Sequence, residues 1–239
     1  MTKKDNLPRY VILQHSLPEH RTALYNKLQN HRTIPALTPL SWPGEIGTWQ
    51  GIEIACFSGG EPERVIMPVL QQDRVEFIFC LGLAGSLTPN LHLGDLVAPS
   101  ASVRGDGLTD YWADPKLPAV ANLTALSALN TASIHLGISL ANGIFFTSAT
   151  WYKEPDFIEA WAKLGVMGIQ MELAQYYLLA HLFGKKMAGL YVISDLPLEG
   201  EAVWETGFRS DPMIFEGCEQ SIAILLKAIE LLAYEVPSC

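Results

Sequence analysis

Val75 to Leu81, Val-Glu-Phe-Ile-Phe-Cys-Leu, is apolar at every position except Glu76. A run without alternation suits a strand covered on both faces, and such strands belong to mostly parallel sheets with helices packed on either side. It stops at Gly82-Leu83-Ala84-Gly85, which reads as a loop directly after the strand. The remaining pattern agrees with an alternating α/β chain, expected to form a three-layer α/β/α sandwich around a central mixed sheet.

In chain order, Tyr10 to Leu13 reads as a strand and Leu17 to Leu28 as a helix with a proline in its first turn. Pro35, Pro39, Pro43 and Gly44 mark a loop, and Gly47 to Gly51 reads as a turn feeding the strand Ile52 to Phe57, which Ser58-Gly59-Gly60 ends. Glu63 to Leu70 reads as a helix interrupted or ended near Pro68. Leu93 to Ala98 is a strand, Arg104 to Pro118 a polar loop, Ala119 to Ser133 a helix, Gly143 to Phe146 a strand and Asp156 to Lys163 a short helix. Glu172 opens an apolar helix ending at Phe183-Gly184, and Met187 to Ile193 is a buried strand ending on Ser194-Asp195. A polar loop from Pro197 to Arg209 precedes a helix from about Glu216 to Tyr234, striped by Ile222, Leu225, Leu226, Ile229 and Leu232.

At 239 residues and 49% apolar, the chain is expected to be one domain, 1–239, with one large core. Its formal charge of −9, from 16 basic and 25 acidic residues, argues against a nucleic-acid polymer or an anionic membrane as partner. Cys56, Cys80, Cys218 and Cys239 lack metal-site spacing, so no metal is expected and the thiols suit a reducing cytoplasm. The polar start, Met-Thr-Lys-Lys-Asp-Asn, and the lack of a long apolar run make a cytoplasmic protein the expectation.

Several residues carry chemistry, each with a bland counterpart. The Gly82–Gly85 run is either a tight turn or a place where backbone N–H groups approach an anion or a sugar; it is neither a Walker loop nor a dinucleotide fingerprint. Glu172 suits both vicinal hydroxyls of a ribose, with Met171 packed on the sugar, and equally suits a helix N-terminus. Asp195 at a strand's carboxyl end is placed either to protonate a leaving nitrogen base or to cap a helix. Trp151, with Tyr152 beside it, stacks on a base or packs in the core. Near the first strand and helix, His15 and His20 carry no assigned role from sequence, and Arg21 is the cation available to an oxyanion.

Taken in order, these segments resemble the nucleoside phosphorylase superfamily, which holds hexameric purine nucleoside phosphorylases, uridine phosphorylases and the methylthioadenosine/adenosylhomocysteine and AMP nucleosidases. Phe77 to Asp95 is similar to the family's strand, glycine run and Gly-Asp turn; Arg104-Gly-Asp-Gly-Leu-Thr with Leu117-Pro-Ala-Val-Ala resembles uridine phosphorylase relatives; Ser194-Asp-Leu-Pro-Leu-Glu-Gly-Glu resembles AMP nucleosidase. The pairing of Met171-Glu172 with Ser194-Asp195 is the most specific element. The resemblance implies cleavage of an N-ribosidic bond with Glu172 and Asp195 as the catalytic pair and Met171, Trp151, Gln170 and Ser194 around ribose and base. Gly82, Leu83, Ala84, Gly85, Arg21 and His20 would line the phosphate or water site. It further implies a small-molecule nucleoside substrate, no cofactor, inorganic phosphate as candidate co-substrate, and a homo-oligomer, either a dimer or a trimer of dimers. The apolar, Pro-rich segment Ile34 to Trp42 reads first as an ordinary loop packed on its own domain and second as an interface element.

The departures from that family are specific. Cys80 stands where the phosphorylases carry a phosphate-binding arginine, Leu83 where they carry a helping threonine, and Leu17-Pro18-Glu19 where they carry Gly-Asp-Pro. Tyr191 replaces a water-site arginine of methylthioadenosine nucleosidases, whose water-activating glutamate falls at His20 or Glu19. Loss of the phosphate arginine favours hydrolysis on chemical grounds, whereas family frequency favours phosphorolysis; phosphorolysis is placed first, hydrolysis of the same bond second, and a non-catalytic nucleoside-binding or storage role third.

Overall fold

A computed structural model of the protein describes residues 7–15, 17–39, 43–58, 62–207 and 211–234, apart from the side chains of Glu19, Pro62, Trp204 and Thr206. Gly59-Gly60, the end of the Ile34–Trp42 segment, the end of the Pro197–Arg209 loop and Cys239 fall outside the described residues, as does the side chain of Glu19. In chain order the elements are β1 (Tyr10–His15), α1 (Pro18–Lys27), β2 (Gln29–Ile34), β3 (Gly44–Trp49), β4 (Ile52–Ser58), α2 (Pro62–Leu70), β5 (Phe77–Ser86) and β6 (Leu96–Gly105). Then come β7 (Ala119–Val120), α3 (Leu123–Leu136), β8 (Ala141–Ser148), α4 (Ile158–Lys163), β9 (Val166–Gln170), α5 (Leu173–Leu182), β10 (Lys186–Asp195), α6 (Val203–Thr206) and α7 (Pro212–Tyr234).

The sheet is mixed, in the order β10-β6-β8-β9-β5-β1-β4-β3-β2, with β7 beside β6. β10 also pairs with β5, so β5, β10, β6, β8 and β9 close on themselves while β1, β4, β3 and β2 extend from β5. Successive residues of a strand face opposite sides, and β10 uses both. Gly189 meets Tyr177 of α5, whereas Val192 meets Gly217 of α7. Helices thus cover both faces, as the unalternating run at Val75–Leu81 requires. The interior side chains of β1, β4, β5 and β10 join α5 and α7 in one apolar core.

Local chemistry explains most of the boundaries. Pro18 starts α1, where its missing N–H costs nothing. Asn122 caps α3 by accepting from the N–H groups of Thr124 and Ala125 at 3.1 and 3.2 Å, and Gly137 ends that helix in the left-handed region at φ 66°. The α3 helix consequently starts at Leu123, later than the Ala119 expected from composition, because Ala119–Val120 pairs with Ser102 and Ala101 of β6.

Other expectations need correction. Gly47 to Gly51 is not a turn: Gly44–Trp49 is a strand, and Gln50 (φ 49°) and Gly51 (φ 80°) alone turn the chain into β4, as a tight hairpin with positive φ at both central residues requires. The helix around Pro68 continues to Leu70, held by the buried Val69 and Leu70. The strand expected from Leu93 begins at Leu96, because His92 to Asp95 form a turn closed by the His92 N–H on Asp95 Oδ2 at 2.7 Å. The loop after β6 is polar, as expected, and is pinned from within by Arg104, whose guanidinium donates to Thr109, Asp110 and the carbonyls of Ala113, Asp114 and Leu117.

Most consequential, Gly82–Gly85 is no loop. β5 runs through it to Ser86, paired with β10 from Phe77 to Gly85 with one irregularity between Ile193 and Asp195. On its other edge β5 pairs with β1 up to Gly82 and with β9 from Gly85. Among the described residues, Leu83 and Ala84 therefore have no strand partner on that edge, and the sheet splits there.

Candidate active site

The split edge opens into a cavity of about 650 Å³. Crevices at the carboxyl ends of strands, where neighbouring strands diverge, are the usual ligand positions of α/β sheets. Leu83, Ala84 and Gly85 form its floor; Gln14 and His15 of β1, Ser58 of β4 and Arg21 of α1 line one side; Trp151 and Glu154 line another; Gln170, Met171 and Glu172 come from the β9–α5 junction, and Ser194 and Asp195 from the end of β10. Ten of the sequence-derived candidates, Arg21, Leu83, Ala84, Gly85, Trp151, Gln170, Met171, Glu172, Ser194 and Asp195, thus share one cavity.

Two candidates do not. His20 is 1% exposed, and its Nε2 lies 3.0 Å from Ser221 Oγ on α7. It neighbours Arg21 on a helix, so the two side chains diverge by about 100°, and only Arg21 reaches the cavity. Gly82 lies under the Tyr191 ring, in space where a Cβ would collide with that ring. It serves strand packing and does not line the cavity.

Glu172 sits just before α5, buried. Its Oε1 accepts from the Tyr191 hydroxyl at 3.1 Å and its Oε2 from the Met171 N–H at 3.2 Å. Burial raises its pKa to about 7, against the lowering pull of those two donors. The Tyr191 hydroxyl also lies 3.4 Å from Cys80 Sγ, and burial holds the Cys80 thiol well above its ordinary range. Cys80 is accordingly a neutral, packed residue behind the cavity.

Gln170 has a different place from the one expected of a ribose or base ligand. Its Oε1 accepts from the N–H groups of Glu172 and Leu173 at 2.6 and 2.7 Å, and its Nε2 donates to Thr147 Oγ1 at 2.6 Å. Thr147 Oγ1 also accepts from the Ala174 N–H at 2.9 Å. These contacts satisfy the free N–H groups at the start of α5 and fix where Glu172 points.

Asp195 accepts from Ser194 Oγ at 2.7 Å on Oδ1 and from the Val203 N–H at 3.1 Å on Oδ2. It therefore reaches the start of α6 while lining the cavity. A Cβ on Gly85 would stand 3.1 Å from Asp195 Oδ2 and 2.8 Å from Pro197 Cγ; glycine is what lets the carboxylate lie against the floor.

Sequence reasoning missed Glu154. Trp151–Asp156 is a 3-10 turn, in which residues three apart eclipse one another, so Trp151 and Glu154 face the cavity together. Glu154 falls between Trp151-Tyr152 and the helix expected from Asp156, and its three-residue spacing from Trp151 was the available signal. Glu154 is 4% exposed. Burial, reinforced by the charge of Asp195 and opposed by the Ser148 hydroxyl, raises its pKa to about 7. His15, also without an assigned role, hydrogen-bonds Tyr176 through Nε2, and burial lowers its pKa to about 4, which keeps it neutral at pH 7.

Among the described residues lining the cavity, Arg21 is the sole lysine or arginine, facing Glu154, Glu172 and Asp195. Its guanidinium lies 5.2 Å from the centroid of the Tyr25 ring. No group of side chains suited to a metal ion occurs among the described residues, and no helix there is long and apolar enough to cross a membrane.

A mixed α/β sheet with a carboxylate-lined cavity at its split edge is an architecture with known relatives. Residues 11–229 match the model of the phosphorylase superfamily, and the chain belongs to that superfamily. It is 26% identical over 193 residues to a purine nucleoside phosphorylase of Plasmodium vivax, covering 78% of this chain and 77% of that one. It is 27% identical over 163 residues to a uridine phosphorylase of Salmonella typhimurium, covering 62% of each. Among solved structures, a purine nucleoside phosphorylase from Toxoplasma gondii in complex with immucillin-H superposes with a TM-score of 0.83 at 22% identity, covering 98% of this chain and 95% of that one. A uridine phosphorylase from Vibrio fischeri gives 0.80 at 17% identity over 95% and 93%. Both structural matches establish the fold, including the mixed sheet between helices.

Proposed function

We propose that the protein cleaves the N-ribosidic bond of a nucleoside, transferring the ribosyl group to inorganic phosphate and releasing the base. The observation that carries this reading is the placement of Glu172 and Asp195 in one cavity beside Met171 and Trp151. Glu172, as a carboxylate, accepts from the 2′- and 3′-hydroxyls and so fixes C1′; Met171, 39% exposed, packs on the sugar; Trp151 stacks on the base; Asp195 with Ser194 handles the proton or hydrogen bond of the departing base. Phosphate enters between Arg21 and the unpaired edge at Leu83–Ala84. No cofactor is needed. The names of the sequence relatives, purine nucleoside and uridine phosphorylases, support the phosphorolytic form.

A second reading, hydrolysis, is favoured by one observation: among the described residues, a single arginine lines the cavity alongside three carboxyl groups. Phosphate dianion is ordinarily held by several charge-assisted hydrogen bonds. The deciding experiment incubates the protein with purine and pyrimidine nucleosides, with and without phosphate, and measures free base and ribose 1-phosphate. Phosphate-dependent release with ribose 1-phosphate supports phosphorolysis, equal release without phosphate replaces it with hydrolysis, and no release from any nucleoside leaves a binding role.

A further inference from the structure

We propose that Glu154 is the base-selecting residue of this cavity, donating its carboxyl proton as a hydrogen bond to an acceptor atom on the edge of the nucleobase stacked on Trp151. The inference rests on the ribosidic reading above and adds a residue to it. Its ground is placement. One 3-10 turn presents Trp151 and Glu154 on the same face, both lining the cavity, so a ring lying on the indole brings its edge toward the carboxyl. Glu154 is nearly inaccessible from outside, at 4% exposure, and Asp195, the other wall of the base end, is close enough for its charge to act on it. Asp195 accepts hydrogen bonds on both oxygens. The base end therefore offers a donor from Glu154 and, before any proton passes to the departing base, an acceptor from Asp195. That pair fits a base edge carrying a ring or carbonyl acceptor beside an N–H donor, and rejects an edge of two donors.

Burial first, with the charge of Asp195 and against the Ser148 hydroxyl, raises the pKa of Glu154 to about 7, so its carboxyl is part-protonated at neutrality. On its own turn, Lys153 and Asp156 pair with each other at 3.1 Å and are exposed; on the adjoining α4, Glu159 and Lys163 pair at 3.7 Å, also exposed. Across the cavity stand Asp195, Glu172 and, on α1, Arg21. No cation is among the causes acting on Glu154, while burial and Asp195 raise its pKa to about 7. Glu172, raised also to about 7, must be ionised to accept from ribose hydroxyls. Activity thus requires one acid charged and the other neutral, and kcat/KM should describe a narrow bell about neutrality whose alkaline limb belongs to Glu154.

The test compares the parent enzyme with E154Q and E154L on the best nucleoside found. Glutamine keeps the size and a donor but cannot ionise: E154Q should hold KM within about threefold and lose the alkaline limb while keeping the acid limb. E154L should raise KM about tenfold or more across the pH range, with kcat changed less, and thermal unfolding checks that both variants are folded. An alkaline limb unchanged in E154Q, or a KM within twofold of the parent in E154L, overturns the assignment of Glu154 alone. Absence of turnover by the parent enzyme on every nucleoside removes the ribosidic reading and this inference with it.

Discussion

The Tyr191 hydroxyl donates to Glu172 Oε1 at 3.1 Å, and the same ring fills the space over Gly82. One side chain from β10 therefore packs over Gly82 behind the cavity and stabilises the charged form of the buried carboxylate. Tyr191→Phe keeps the ring and removes the donor. Because that hydrogen bond lowers the pKa of Glu172, its loss should move the acid limb of kcat/KM to higher pH. Activity at pH 6.5 should then fall by severalfold while activity at pH 8.5 changes little, with a stability loss of about 1 kcal/mol. An unmoved acid limb would separate Tyr191 from the ionisation of Glu172.

The same burial makes Glu172 a source of pH-dependent stability. Its folded pKa, about 7, lies above the ordinary value of 4.5, so folding favours the protonated form. The associated stability is complete below the ordinary value and is lost as pH rises through about 7. At about 1.4 kcal/mol per pKa unit this amounts to roughly 3 kcal/mol. Glu172→Gln, which cannot ionise, should equal the parent in denaturant unfolding at pH 4.5 and exceed it by up to that amount at pH 8. A variant less stable than the parent at pH 8 would mean that the carboxylate is better solvated than its burial implies.

How much of this was legible in the sequence depended on what each residue touches. The unalternating Val75–Leu81 run and the stripe of the last helix follow from local pattern, and both are found within β5 and α7. Glu172 and Asp195 were identified because one opens and the other ends a clear apolar segment. The misses share another cause. Gly82–Gly85 reads as a turn because glycine punctuates strand ends, yet here the glycines answer to tertiary neighbours, Tyr191 and Asp195. β2, Gln29–Ile34, has an almost entirely exposed sequence and is held by pairing with β3, which no local period encodes. Glu154 was hidden among charged neighbours because its burial comes from the turn's placement against β10, not from its own surroundings in the chain.

Gln170 offers a sharper separation of positioning from chemistry. Its carbonyl serves the N–H groups of Glu172 and Leu173, and its amide nitrogen serves Thr147. Gln170→Leu should strand two buried donors at the start of α5 and destabilise the fold by about 2–6 kcal/mol, given 1–3 kcal/mol for each unsatisfied group. Gln170→Glu retains an acceptor and should recover most of that stability at pH 7. Loss of ribose affinity in a fully stable leucine variant would return Gln170 to the ligand-contacting role expected from sequence.

Gly85 and Asp195 should fail together. An alanine methyl at Gly85 would stand 2.8 Å from Pro197 Cγ, 3.2 Å from Ile169 Cγ2 and 3.1 Å from Asp195 Oδ2. These neighbours must give way, and the Asp195 carboxylate and Ile169 both have the open cavity beside them, the carboxylate at the shorter distance. Displacing Asp195 breaks its contacts to Ser194 and the Val203 N–H and takes it off the line of the departing base. Asp195→Asn leaves the backbone in place but removes the acid, so turnover should fall by about 100-fold or more, the usual scale of one acid–base group. Gly85→Ala should lower kcat by at least tenfold with a small change in KM, and the double variant should be no slower than Asp195→Asn alone, since both act on one group. Additive losses in the double variant would show that Gly85 acts on the cavity floor independently of Asp195.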